Sequence, residues 1–199
     1  MPSFKFLRPV IMITGHAVSG KDTFFSLLKE IDPNFKRYAF ADKLKQDLRL
    51  FLMEQCRIDI NALSPEQKDL VRPLMIAYGC MMRNLGDGLY WVRELEKQIL
   101  SDLDFEGNLG NPQMIPVITD CRFRNEAEYF KNRYQVILVR IIRKDSPEPP
   151  EEEKINQPLV QPLVDYTIDW PTVGPDHLHE LKEYVEKFLK EVNFSEHLK

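Results

Sequence analysis

Apolar and polar positions follow two periods along this chain. Short, nearly continuous apolar runs at 8–14, 115–119, 135–142 and 164–170 predict buried strands, and a briefer run at 37–41 predicts another. Between them apolar residues recur at helical spacing. Lys21–Ile31 predicts a helix with Phe24, Phe25, Leu27 and Leu28 inward, stopped by Asp32-Pro33-Asn34. Leu44, Leu48, Phe51 and Leu52 mark a second helix, which Asp42 is placed to cap. Ser64-Pro65-Glu66-Gln67 is a helix start: serine caps, proline suits the first helical position, and Gln67 completes a capping box. Leu70, Val71, Leu74, Met75 and Tyr78 then give that helix an inner face, and Gly86-Asp87-Gly88 breaks the pattern. Further helices are predicted over 89–103, with Trp91, Leu95, Ile99 and Leu103 on one side, over 124–133, and over 176–192, with Leu178, Leu181, Val185, Phe188 and Leu189 inward. The Gly- and Asn-rich stretch 105–113 predicts a loop.

Residues 144–162 change character. Pro147, Pro149, Pro150, Pro158 and Pro162 surround the acidic run 148–153, which predicts a solvated, mobile loop, lid-like over 144–163. The rest alternates strand and helix. That order predicts one α/β domain over 1–199 with a parallel sheet, and ligands beyond the carboxyl ends of its strands.

Composition narrows the function classes. The 199 residues are 43% apolar and 29% charged, with a net charge of -4, which argues against a general nucleic-acid coat. No apolar run approaches the roughly 20 residues that span a membrane. Cys56, Cys80 and Cys121 have neither metal-ligand nor redox-motif spacing, so three reduced thiols in a cytoplasmic protein are expected.

Three charged motifs fall at predicted strand ends. Gly15-His16-Ala17-Val18-Ser19-Gly20-Lys21 fits Gly-x-x-x-x-Gly-Lys between a strand and a helix. Its glycines let several backbone N–H groups turn toward one phosphate, the helix adds its positive end, and Lys21 reaches the β- and γ-phosphates. After Lys21 a Ser or Thr normally ligates magnesium; here Asp22 stands there, with Thr23 next, and either could supply the oxygen. A plain glycine turn before a helix is the competing reading. The second motif is Ile118-Thr119-Asp120-Cys121-Arg122, where Asp120 is placed to orient a magnesium shell and Arg122 to meet phosphate. The third is Asp42, beyond the second strand. Arg72, Arg83 and Arg93, interleaved with Tyr78, Tyr90 and Trp91, offer phosphate forks and stacking faces for an acceptor; solvated arginines and a core tryptophan are the alternative. Arg143, at the end of the fourth strand, is the candidate for contacting a donor nucleotide, and Arg140 lies on the opposite face. His177 and His179 are given no role.

With these residues in place, the chain resembles the phage-type deoxynucleoside monophosphate kinases over most of its length and in order. The residues that carry the likeness are Ser19-Gly20-Lys21-Asp22-Thr23, Phe40-Ala41-Asp42-Lys43-Leu44-Lys45, Arg72-x-Leu74-Met75 with Gly79, Tyr90-Trp91-Val92, Pro116 to Arg122 with Asn125, Glu126 and Glu128, and Val136–Arg143. The sequence departs from the family at Gly79-Cys80-Met81, at Asn156-Gln157-Pro158-Leu159 and at Asp169. The resemblance implies a P-loop NTPase three-layer α/β/α sandwich, with a five-stranded parallel sheet and a helical acceptor-binding insertion at 42–104. It implies transfer of the γ-phosphoryl group of ATP to a deoxynucleoside monophosphate with Mg2+. Lys21, Asp120 and Arg122 would be catalytic, with Gly15 to Thr23 and Arg143 on ATP. Asp22 and Asp120 would hold the metal, and Asp42, Arg72, Arg83 and Trp91 the acceptor. The partners expected are small-molecule nucleotides, with no nucleic acid and no membrane; a homodimer is left open, and the location is cytoplasmic, in a host cell if phage-encoded. Animal-type phosphomevalonate kinases share the Gly-Lys-Asp loop and are an alternative, as is a non-catalytic nucleotide-binding module.

Overall fold

The computed structural model describes residues 9–108 and 114–194, the side chains of 106–108 and Pro175 excepted. Arg8 and residues 109–113, parts of the predicted first strand and loop, lie outside the described residues. Five strands form one parallel sheet: β1 (Val10–Thr14), β2 (Phe35–Tyr38), β3 (Ile115–Ile118), β4 (Val136–Arg143) and β5 (Tyr166–Trp170), in the order β2-β3-β1-β4-β5. The central strands β1 and β3 are buried along their whole length because helices cover both faces, whereas the edge strands β2 and β5 carry exposed polar residues between buried ones. On one face Ile11, Ile13, Val117 and Val139 pack with Phe24 and Leu28 of α1 (Lys21–Ile31) and with Val185 and Phe188 of α7 (Lys182–Glu191). Burying each such side chain contributes about 1.5–3 kcal/mol. Val10, Met12 and Leu138 alternate to the other side and are fully buried, and α5 (Arg124–Lys131) packs on β4 with Ala127 and Phe130 buried. The result is a three-layer α/β/α sandwich. Because β3 and β4 lie on opposite sides of β1, the chain reverses direction across the sheet beside β1, and the crevice opens at that strand's carboxyl end.

The described residues divide into two units: Ala39–Ser101 form one, and the sheet with its covering helices forms the other. The helical unit contains α2 (Phe40–Cys56), α3 (Pro65–Asn84) and most of α4 (Tyr90–Asn108). Its own core joins Leu48 and Leu52 of α2, Val71 of α3, and Ile58 and Ile60 from the connection between the two helices, with Leu44, Met75 and Tyr78 against them. The capping box at its start is present: Ser64 Oγ accepts the Gln67 N–H at 3.2 Å and Gln67 Oε1 accepts the Ser64 N–H at 3.0 Å.

Several predicted bounds shift, each for a local reason. The second strand pairs with β3 only as far as Tyr38 opposite Ile118, so Phe40 and Ala41 belong to α2 rather than to the strand. Ala39 is therefore the cap, and Asp42 sits in the first helical turn, where a carboxylate still meets the positive helix end. Leu70 and Leu74 face outward although their spacing matches Val71, because the buried stripe of α3 is narrow. Helix α4 runs on to Asn108, through the first part of the predicted loop. The last helix is preceded by a 3-10 stretch, Pro175–Leu181, and Leu178 is exposed. The largest correction concerns 144–163. The segment carries α6 (Glu151–Val160) and a 3-10 turn, Gln161–Leu163, instead of a continuous loop. Pro150 precedes a first turn of Glu151, Glu152 and Glu153, and acids there are stabilised by the helix dipole. Among the described residues no helix is long and apolar enough to cross a membrane.

Candidate phosphate-binding site

The turn from β1 to α1 is shaped by two glycines and one strained residue. Gly15 has φ 142°, and a Cβ there would lie 2.4 Å from the Ile141 carbonyl oxygen of β4. Gly20 has φ 96°, and a Cβ there would lie 2.6 Å from Trp170 Cζ2. Backbone and ring both occupy the space that any other residue needs. Val18 is held at φ 62° although it is β-branched and 59% exposed. Such strain costs about 1–3 kcal/mol. Its own packing does not offset that cost; the turn of the loop requires it.

Lys21 opens α1 and folds back. Its Nζ donates to the carbonyls of Gly15 at 2.8 Å and His16 at 2.6 Å. Burial pushes the Lys21 pKa below its ordinary value, and Arg122 adds to that; Glu153, Asp22 and Asp120 pull the other way. One cation thus feels both candidate metal carboxylates, which stand on different elements.

The third-strand motif is tied to the same place. The Cys121 N–H donates to the Ile13 carbonyl at 3.1 Å, which seats the 120–122 turn against the end of β1. Glu126, buried in the first turn of α5, accepts the N–H groups of Arg122 at 2.8 Å and Phe123 at 3.0 Å through Oε2. The backbone that carries Arg122 is therefore fixed, while its guanidinium reaches outward. The Cys121 thiol is pushed well up by burial, with Glu126 and Asp120 adding to it, so it stays protonated.

Sequence reasoning missed the residues that α6 brings. Glu153 Oε2 accepts the Ala17 N–H at 2.7 Å and lies 3.7 Å from His16 Nδ1, and its Oε1 lies 3.9 Å from Arg122 Nη1. Gln157 Nε2, one turn on, donates to Thr14 Oγ1 at 3.0 Å. Glu153, Gln157 and Val160 share one helical face and are buried. Two of the three are polar, so a search for apolar periodicity does not see that face. The signal available was the proline followed by three acids at a helix start.

Nothing in the sequence marks Trp170 as more than the end of a strand. Its indole N–H donates to the Ser19 carbonyl at 2.9 Å, and its ring meets Phe24 edge-on with centroids 6.1 Å apart. Arg143 is its register partner across β4 and β5. Arg143 Nε, Ser146 Oγ, Ser19 Oγ and His16 Nδ1 are buried without a hydrogen-bond partner among the described residues. A buried polar atom left so costs about 1–3 kcal/mol. Two of these four belong to the loop, and two to the end of β4 and the turn after it. Arg140 pairs with Gln161, and His177 and His179 are exposed, with His177 Nδ1 2.7 Å from Glu180 Oε1.

The acceptor candidates lie in the helical unit. Asp42 is half-buried in the first turn of α2, Arg72 is exposed on α3, and Arg83 is half-buried in its last turn. Trp91 is 5% exposed; its indole N–H donates to the Gly79 carbonyl at 3.0 Å, and Tyr78 and Tyr90 meet its ring at 5.8 and 4.9 Å. Among the described residues no group of three or more His, Cys, Asp or Glu could hold a metal ion by itself. Asp22 and Asp120 nonetheless suit magnesium, which usually takes one or two carboxylates and completes its shell with phosphates and water.

No family model matches the sequence, and no curated protein matches it. Solved structures similar to the chain include the dephospho-CoA kinase of Campylobacter jejuni, 13% identical over 94% of this chain and 99% of that one, with a TM-score of 0.49. TT1252 from Thermus thermophilus is 16% identical over 93% and 96%, with a TM-score of 0.49. A gluconokinase from Sinorhizobium meliloti is 11% identical over 95% and 98%, with a TM-score of 0.40. Likeness this distant leaves the chemistry to be argued from the residues.

Proposed function

We propose that this chain transfers the γ-phosphoryl group of ATP to a small phosphorylated acceptor, a deoxynucleoside monophosphate, giving the diphosphate and ADP. The observation that carries the reading is Lys21 at the head of α1, folded back on the Gly15 and His16 carbonyls of a loop whose two glycines leave no room for a Cβ. An oxygen of the acceptor phosphate attacks the γ-phosphorus, and the bond to the β,γ-bridging oxygen breaks. The protein's work in such a reaction is positioning and charge stabilisation. Lys21 exchanges the Gly15 and His16 carbonyls for phosphate oxygens. Arg122, on a backbone held by Glu126, meets the transferring group. Magnesium, bound by Asp22 and Asp120 with phosphate oxygens, would supply neutralising charge. Arg143 lies on the donor side, and Asp42, Arg72, Arg83 and the surroundings of Trp91 supply the acceptor side.

The choice of a deoxynucleoside monophosphate rests on the ordered resemblance of the motifs from Gly15 to Arg143. Lys21→Ala tests the reading of the loop. Turnover is expected to fall by about 10²–10³-fold, with the variant still folded by circular dichroism; a variant with near-normal turnover would refute the assignment.

A further inference from the structure

The acid that α6 places on the loop stands where the proposed function needs a phosphate. Glu153 is 6% exposed, whereas Glu151 in the same turn is open to solvent. A buried carboxylate is costly unless it is paired and hydrogen-bonded. Glu153 meets that condition with the Ala17 N–H, with Arg122 Nη1 at 3.9 Å and with Lys21 nearby. Those are the donors and cations that would otherwise face a nucleotide's phosphates. The docking of α6 on this spot is polar. Gln157 bonds Thr14, Val160 alone adds a buried apolar side chain, and Ile155 and Leu159 face outward. Between α6 and the turn after β1 the hydrogen bonds are one charge-assisted bond and one amide bond, which another anion can replace, while the rest of the helix packs on α5.

We propose that Glu153 is a resident competitor for the phosphate loop: phosphates of the donor nucleotide displace its carboxylate, and α6 leaves the loop as they bind. This rests on the phosphate-loop reading above. The competition acts on the loop and not on the nucleoside, so it weakens every polyphosphate ligand by the same factor. That factor is set by the fraction of molecules in which the loop is open.

The test compares wild-type protein with Glu153→Gln, using ATP and inorganic tripolyphosphate as ligands in calorimetry. The glutamine keeps the shape and removes the charge. The variant is expected to bind both ligands more tightly by a similar factor, about tenfold, since hydrogen bonds to charged groups are roughly twice as strong as neutral ones. In a second measurement, on wild-type protein alone, amides of 151–160 are expected to exchange faster with deuterium when tripolyphosphate is bound. Equal or weaker binding by the variant overturns the proposal, as does unchanged or greater protection of α6 in the wild type. If neither protein binds ATP or tripolyphosphate, the phosphate-loop reading itself fails, and the competitor falls with it. Should the variant not fold, the exchange measurement decides.

Discussion

At the scale of single residues, the loop is a set of mutual exclusions. Gly20 can hold φ 96° only without a side chain, and Trp170 fills the space where one would go. Gly20→Ala is expected to lower stability by about 2–4 kcal/mol in urea unfolding, from backbone strain and overpacking together. Trp170→Phe shortens the ring that a Cβ would strike. The double variant is therefore expected to be less unstable than the two single changes predict in sum. Additive losses would show that the ring and the glycine are independent. The places of the two glycines and of Lys21 were legible in the sequence, because a tight strand-to-helix turn has to put its glycines close together in the chain. Trp170 was not legible. Its hydrogen bond to Ser19 spans 151 positions and depends on how β4 sets β5 beside β1.

At the scale of elements, local chemistry and tertiary placement divide the outcome. Helix α3 starts where Ser64 and Gln67 say it should, because both halves of the cap lie within one turn of each other. Ser64→Ala is expected to cost about 1 kcal/mol, read as a lower thermal midpoint without loss of phosphoryl transfer; an unchanged midpoint would mean the box adds nothing. Strand β2 shows the opposite case. Residues 37–41 read as a strand from composition, yet pairing with β3 decides its end, and Phe40 enters a helix. The acidic run before α6 misled for a physical reason as well. Proline and glutamate are the residues of solvated loops, but they are also a helix start. Only the loop's own N–H groups and cations explain why Glu153 turns inward.

At the scale of the whole molecule, the alternation of strands and helices predicted a parallel sheet, and the order β2-β3-β1-β4-β5 places the glycine loop at its crevice. The order itself was not in the sequence pattern, since the largely apolar central strands β1, β3 and β4 read alike. The site follows from it: the Cys121 N–H on Ile13 joins the third-strand motif to the first, and α6 comes back over both. Phosphate transfer between nucleotides is the proposed work of this arrangement. It is tested most directly by coupled ADP release from ATP and magnesium with a panel of deoxynucleoside monophosphates, ribonucleoside monophosphates and phosphomevalonate. The account predicts rapid ADP release with one or more deoxynucleoside monophosphates and none with phosphomevalonate. ADP release with phosphomevalonate alone, or with no acceptor in the panel, would contradict it.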